Sequence, residues 1–199
     1  MGVLLQFQGI PYAAIIRYGK GVKKGIEGLT SERDGYTIAA FKFTCAGIMN
    51  LRKLLVRDVI SLDLQGNTKD EIIQEMLDLL EQAGKLNNRK AAEKAILDRE
   101  KKMSTGMQNG IAIPHGKTDT VDSLIVAIGV KKDGVDFESL DGQPSVFFIM
   151  TLSPANRTGP HIQFLAEISR QLNDPHVRER ILAAGNKDDV ITILAGSGA

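Results

Sequence analysis

Cysteine is almost absent from this chain. Its 199 residues hold a single one, Cys45. One thiol excludes an intrachain disulfide, and the composition suits a reducing compartment. Long apolar runs are missing too. The longest, 124–130 and 146–152, have the length of strands and fall far short of the ~18 residues of a membrane-spanning helix. The formal net charge is only +1, which argues against a dominant basic surface for nucleic acid. The first residues, "MGVLLQFQGIPYAAIIRYGKG", have no basic group ahead of their apolar part and carry Gln6, Gln8 and Pro11, so they do not read as a secretory signal. These absences lead to the expectation of a cytoplasmic protein with no direct membrane insertion. No internal repeat is present.

What is present suits one α/β domain with an appendage. Residues 1–48 differ from the rest: they carry six Lys/Arg against three Asp/Glu and eight glycines. Within them, "DGYTIAAFKFTC" has the aromatic and β-branched content of a strand. Then "MNLRKLLVRDVISLDLQG" reads like a fresh start at Met49. The expected organisation is an accessory segment over 1–48, or a leader from an over-extended gene start, and a functional domain over 49–199. Mass spectrometry of protein made from the native gene decides between these, since a mature N-terminus at Met1 removes the over-extension idea.

From residue 51 the punctuation is regular. Thr68 with Glu71 three residues on is a capping box, and Gly84 closes the helix that follows. Ile72, Ile73, Met76, Leu77, Leu79 and Leu80 form its apolar stripe. Asn88 caps a second helix, with Ala91, Ala92, Ala95 and Ile96 as its inner face and Arg99 near its end. A Ser/Thr/Gly/Asn-rich loop, "MSTGMQNG", comes next. The runs "IAIP", "LIVAIGV" and "SVFFIMTL" are continuous apolar stretches suited to strands buried on both faces, with the turn-rich "DGVDFESLDGQP" between the last two. After "SPANRTG", Pro160 opens a helix striped by Ile162, Leu165, Ile168 and Leu172. Asp174-Pro175 starts another, and Asn186 caps a last one. This order predicts an α/β fold: a central mixed β-sheet flanked by helices on both faces.

Three histidines are available for chemistry: His115, His161 and His176. His115 ends an apolar run, between Pro114, which fixes φ before it, and Gly116, which removes bulk after it. Strand ends are where α/β proteins present reactive groups, and a neutral imidazole is a nucleophile. A histidine that only bonds its own turn would show the same pattern. A nucleotide-binding P-loop does not fit. That pattern needs four residues between its glycines, Gly110 and Gly116 enclose five, and Pro114 removes an amide donor. His161 follows Gly159-Pro160 at the second position of its helix, where free N–H groups make a plausible anion site, although a plain surface residue reads the same way. His176, in "HVRER", reads as structural. Arg99 offers a rigid fork for phosphate oxygens, and a solvated helix-end charge is its ordinary alternative.

Taken together, "DREKKMSTGMQNGIAIPHGK" and "DGQPSVFFIMTLSPANRTGPHIQFLAEISRQLND" resemble the enzyme IIA domain of the phosphoenolpyruvate-dependent sugar phosphotransferase system, fructose/mannitol class, which includes the nitrogen-regulatory IIA proteins. The resemblance runs from about residue 51 to 194. It implies the IIA-type fold and a phosphotransferase that works as a phosphoryl carrier with no cofactor and no metal. It implies that His115 accepts the phosphoryl group, usually through Nε2, that His161 stabilises it, and that Arg99 lies beside the site. Ser104 and Thr105 match a loop near the phosphoryl group. The usual loop has glycine where this chain has Met103 and Gln108. The implied partners are an HPr-like phosphocarrier protein as donor, and a IIB component of fructose- or mannitol-type sugar uptake as acceptor. In the regulatory branch the acceptor role is replaced by a target protein bound according to phosphorylation. Such relays need a surface around the histidine that a partner can approach, for which Met103, Met107 and Ile113 are candidates.

Overall fold

The computed structural model describes residues 51–196 in full and the backbone of three strands before them. The chain divides into two compact units, Met1–Ile48 and Met49–Ala199. In the first, β1 (Ala13–Tyr18), β2 (Leu29–Arg33) and β3 (Tyr36–Lys42) form an antiparallel sheet in the order β1-β3-β2, with Arg33 paired to Tyr36 and Tyr18 to Thr37. The strand expected in "DGYTIAAFKFTC" is β3; the flanking residues of that stretch lie outside the described ones.

The second unit begins with a short helix, α1 (Leu51–Leu54), and a 3-10 turn that leads into β4 (Ile60–Ser61). Two helices follow, α2 (Lys69–Gln82) and α3 (Arg89–Glu100). The Thr68–Glu71 capping box forms on α2 with both hydrogen bonds in place, and Asn88 caps α3 through Ala91 N–H. These local bonds satisfy donors that a helix start leaves orphaned, which is why residue type alone marked both starts.

Next come β5 (Ile111–Ala112), β6 (His115–Lys117), β7 (Ile125–Val135) and β8 (Ser145–Ser153), and three helices close the chain: α4 (Thr158–Asn173), α5 (Pro175–Leu182) and α6 (Lys187–Ala195). The sheet order is β4-β7-β8-β5, with β6 also on β8. β7 and β8 are antiparallel; β4, β5 and β6 pair in parallel with their neighbours. The sheet is therefore mixed, as expected. β7 runs on past Val130 through a register shift to Val135, into the stretch that composition marked as turn.

β5 and β6 are one edge strand with a proline in it. Ile111 pairs with Phe147, Ala112 with Phe148, His115 with Thr151 and Gly116 with Leu152, so the register never slips. Pro114 has no N–H to give the ladder, but its carbonyl accepts from Thr151 N–H at 3.0 Å. Pairing on both sides of the proline holds His115 in a fixed strand conformation.

Alternation along the strands assigns the faces. A Cβ on Gly116 would lie 2.9 Å from the backbone of Ala95 in α3, and one on Gly129 would meet Leu64 and Met76 of the α2 side. Gly116, Leu152 and Phe148 therefore face α2 and α3. His115, Lys117, Thr151 and Ser153 face the other way, toward α4. The core is continuous across both faces, from Ile73, Met76 and Ile96 through Ile128 and Phe148 to Phe164 and Ile168.

One stripe differs from expectation. Ile162 is 50% exposed, whereas His161, Phe164, Ile168 and Leu172 form the buried face of α4. The helix starts at Thr158 rather than at Pro160, so His161 is its fourth residue, not its second, and points inward. Ile168 and Leu172 are buried as the stripe expects, and only its first half is one residue out of phase: His161 and Phe164 take the inner positions given to Ile162 and Leu165.

Candidate functional site

His115 is half-buried at the edge of the sheet. Its Nδ1 lies 2.8 Å from the carbonyl oxygen of Ile113. A carbonyl only accepts, so Nδ1 carries the ring proton and Nε2 keeps its lone pair. Arg99 Nε donates to that Nε2 at 3.1 Å, and a guanidinium nitrogen of Arg99 also donates to Met103 O at 2.8 Å. The arginine is thus held between the ring and the loop that follows α3. Burial is the main cause that pushes the His115 pKa below its ordinary value, with the Arg99 charge adding to it and the Ile113 contact and Glu100 opposing. The ring is a neutral imidazole at pH 7, with its nucleophilic nitrogen facing a fixed cation.

His161 stands beside it from α4. The two ring centroids are 5.6 Å apart and the planes are tilted by 53°. His161 is 5% exposed, and its pKa is lowered to about 4, first by burial, then by His115 and Lys117. Lys117, two residues beyond His115 on the same strand face, donates from Nζ to Thr158 Oγ1 at 2.9 Å and ties β6 to the first residue of α4. His176 is on α5, exposed beside Glu179.

Ser104 and Thr105 are close in the chain fold but already committed. Thr105 donates to the Glu100 carboxylate twice, from N–H at 2.9 Å and from Oγ1 at 2.5 Å. Ser104 Oγ donates to Phe137 O at 2.7 Å. Neither hydroxyl bonds His115. A Cβ on Gly106 would fall 2.6 Å from Phe137 O, so this loop lies flat on the 137–139 backbone. Met103 and Gln108 both have ordinary negative φ, so replacing glycine at these places costs no backbone strain; the positive φ values in the loop belong to Asn109 and Gly110. Met103 is 65% exposed, Met107 is partly buried and Ile113 belongs to the core, so only the first of the three apolar candidates is a free surface residue.

Two residues here escaped sequence reasoning. Glu100 is buried, and its carboxylate meets Lys69 Nζ from α2 at 2.7 Å. Burial works to raise the Glu100 pKa, but the hydrogen bonds from Lys69 and Thr105 outweigh it and hold it below the usual range. Lys69 also rests over the Phe137 ring at 5.0 Å and reaches Glu138 at 3.1 Å. The carboxylate continues into the site through the backbone: Ile113 N–H donates to Thr105 O at 3.0 Å, and Ile113 O accepts from His115. The signal for Glu100 was its adjacency to Arg99 at a helix end. For Lys69, inside a capping sequence, there was none.

The chemistry this arrangement supports is attack by a neutral Nε2 on an electrophile whose negative charge Arg99 can meet, beside a second, uncharged imidazole. Among the described residues no group of three or more His, Cys, Asp or Glu side chains is placed to hold a metal ion, and no helix is long and apolar enough to cross a membrane.

Fold and site together define an α/β domain whose mixed sheet presents a neutral imidazole nitrogen to a fixed guanidinium. Residues 53–197 match the family described as phosphoenolpyruvate-dependent sugar phosphotransferase system, EIIA 2, and the chain belongs to that family. It is 43% identical over 148 residues to the fructose-specific EIIABC component of Bacillus subtilis, a match covering 73% of this chain but only 23% of that longer protein. It is 40% identical over 138 residues to the fructose-specific EIIA component of Haloferax volcanii, covering 69% of this chain and 90% of the relative. Among solved structures it is similar to the nitrogen regulatory protein IIA-Ntr of Neisseria meningitidis, with TM-score 0.68 and 28% identity over 72% of this chain and 98% of that one. It is similar also to the mannitol enzyme IIA of Escherichia coli in its complex with phosphorylated enzyme IIB, with TM-score 0.62 and 28% identity over 72% of this chain and 98% of that one.

Proposed function

We propose that residues 49–199 form a cytoplasmic phosphoryl carrier that takes a phosphoryl group on Nε2 of His115 from a phosphohistidine donor of the HPr type and passes it to a IIB component of sugar uptake. Residues 1–48 are accessory to this activity. The observation that carries the reading is the fixed tautomer of His115, with Nδ1–H on Ile113 O and the Nε2 lone pair facing Arg99. The names of the fructose-specific relatives and the mannitol IIA–IIB complex support the acceptor.

The step balances simply. The Nε2 lone pair forms the new N–P bond as the donor's N–P bond breaks, and the donor imidazole leaves with its electron pair. The Nδ1 proton stays on the ring, where the Ile113 carbonyl stabilises the positive charge that phosphorylation creates. Phosphoryl transfer passes through a loose transition state, so catalysis consists of positioning and electrostatics. Arg99 meets the charge on the phosphoryl oxygens, and His161, neutral and desolvated, supplies a directed dipole without repelling the cationic ring. Onward transfer to a IIB nucleophile reverses the geometry, with phosphohistidine as a donor of similar energy.

The nitrogen regulatory relatives favour a second reading, in which phosphorylation of His115 controls binding to a target protein. Incubation with ³²P-labelled phosphoenolpyruvate, enzyme I and HPr tests the carrier reading: label on His115 is expected, and an unlabelled protein removes it. Adding candidate IIB components separates the outputs, because rapid transfer marks transport and a dead-end phosphoprotein marks regulation.

A further inference from the structure

A neutral imidazole has one proton and two nitrogens, and what His161 can offer depends on which nitrogen holds it. Phosphoryl oxygens only accept hydrogen bonds. His161 therefore assists a phosphoryl group on His115 only if its accessible nitrogen is the protonated one. Its Nδ1 is enclosed and has no partner, which leaves Nε2 at the open side of the ring.

Three enclosed polar atoms lack a hydrogen-bond partner among the described residues: His161 Nδ1, Thr151 Oγ1 and Ser153 Oγ. Thr151 is 0% exposed and Ser153 1%. Unpaired buried groups are costly and rare, so three on one side of a sheet call for a common explanation. They do share a location. Thr151 is the register partner of His115 and Ser153 that of Lys117, and strand alternation turns all four toward α4, where the His161 ring lies 5.6 Å from that of His115. They are complementary as well: two hydroxyls with protons to donate, and one ring nitrogen that can accept.

We infer that the Thr151–Ser153 hydroxyl pair donates through a bridging water to Nδ1 of His161, and thereby holds His161 in its Nε2–H tautomer with the donor turned toward the phosphoryl group on His115. Thr151 and Ser153 are positioning residues for the second histidine. The pairing follows the rule by which a histidine's inner nitrogen sets the state of its working one. The inference rests on the phosphoryl-carrier reading of His115 for its purpose, but not for its test.

The test is nitrogen-15 NMR of the full chain labelled in histidine, comparing wild type with Thr151→Val, Ser153→Ala and the double variant. Wild-type His161 is expected to show a protonated Nε2 and a bare Nδ1. The double variant should lose that preference, while Thr151→Ser, which keeps the hydroxyl, should retain it. Label should still enter His115 of the double variant, with the transfer rate from phospho-HPr lower by roughly tenfold, the scale of losing the outer partner of a working histidine, and with KM for HPr unchanged. A wild-type His161 protonated on Nδ1, or a tautomer that ignores both hydroxyls, overturns the inference. So does a Thr151→Val variant that is more stable than wild type with its His161 signals unmoved, because the hydroxyl would then have had no partner to lose. If wild-type protein takes no label, the carrier reading falls, and the tautomer comparison still decides this inference because it needs no phosphoryl group.

Discussion

Arg99 Nε lies 3.1 Å from His115 Nε2 and donates to it. That contact places a permanent positive charge beside the ring nitrogen that carries no proton, so the residue proposed to meet the phosphoryl group already holds the proposed nucleophile. Replacing His115 with Ala should abolish labelling by phosphoenolpyruvate, enzyme I and HPr. Label that persists in the variant would place the phosphoryl group elsewhere. Arg99→Lys keeps the charge but loses the fork, and should slow labelling by one to two orders of magnitude, roughly the scale of losing an oriented electrostatic donor.

His161→Ala should fold and still bind its donor, with transfer reduced by about a hundredfold or more, since its proposed role lies in the charged transition state rather than in docking. Single-turnover kinetics against HPr affinity measures the split. Unchanged transfer rates would take His161 out of the mechanism.

The depressed pKa of His161 makes stability depend on pH. Its folded value, about 4, lies below the unfolded 6.5, so between these values the unfolded chain binds the extra proton. Stability then rises with pH: it is full above about 6.5, declines as pH falls toward 4, and levels off below. The loss should be on the order of 3 kcal/mol. Urea unfolding at pH 7 and pH 4 reads it, and His161→Gln, which cannot titrate there, should show a smaller difference. Equal slopes in both proteins would mean that His161 is not the group responsible. His115, shifted in the same direction, contributes in the same sense and remains in the variant.

Gly116→Ala should disturb both fold and site. The new Cβ would meet the Ala95 backbone at 2.9 Å for its carbon and 3.0 Å for its oxygen, and a helix backbone cannot yield as a side chain can. A loss of roughly 1–3 kcal/mol follows from such overpacking. Because α3 carries Arg99, labelling of His115 should slow in the folded fraction. A variant as stable and as fast as wild type would show that α3 has room to move.

Glu100→Gln should cost roughly 1–3 kcal/mol, since it removes the buried carboxylate bonded to Lys69 and Thr105 and leaves half-buried Lys69 with only the exposed Glu138 as counter-charge. Glu100→Gln combined with Lys69→Met should recover part of that loss. The double variant's failure to recover any of it would mean that the bonds to Thr105, rather than the ion pair, are what Glu100 supplies.

Much of this was legible in the residues. Thr68 with Glu71, Asn88, Asp174 with Pro175, and Asn186 all marked helix starts, and each forms its cap. Caps are bonds across two or three residues, so the sequence contains both partners side by side. The continuous apolar runs marked buried strands for the same kind of reason. Position within α4 was not legible, because Ile162 and Phe164 are equally apolar and only the sheet beneath decides which of them is covered. The extension of β7 past Val130 was hidden by Asp133 and Gly134, which read as a turn but lie in a shifted strand.

By itself, then, the sequence determined the elements, the family and the identity of the candidate residues, since those depend on short-range spacing and ordered motifs. Tertiary structure decided which groups meet. Arg99 and His115 come together because Gly116 lets α3 settle on the edge strand. His161 faces His115 because strand alternation turns His115 toward α4 and the helical phase of α4 turns His161 back toward the sheet. The Lys69–Glu100 pair, and the enclosed hydroxyls of Thr151 and Ser153, take their meaning from neighbours far away in the chain. Such contacts depend on packing and on the burial of charge, and neither property belongs to any short stretch of residues.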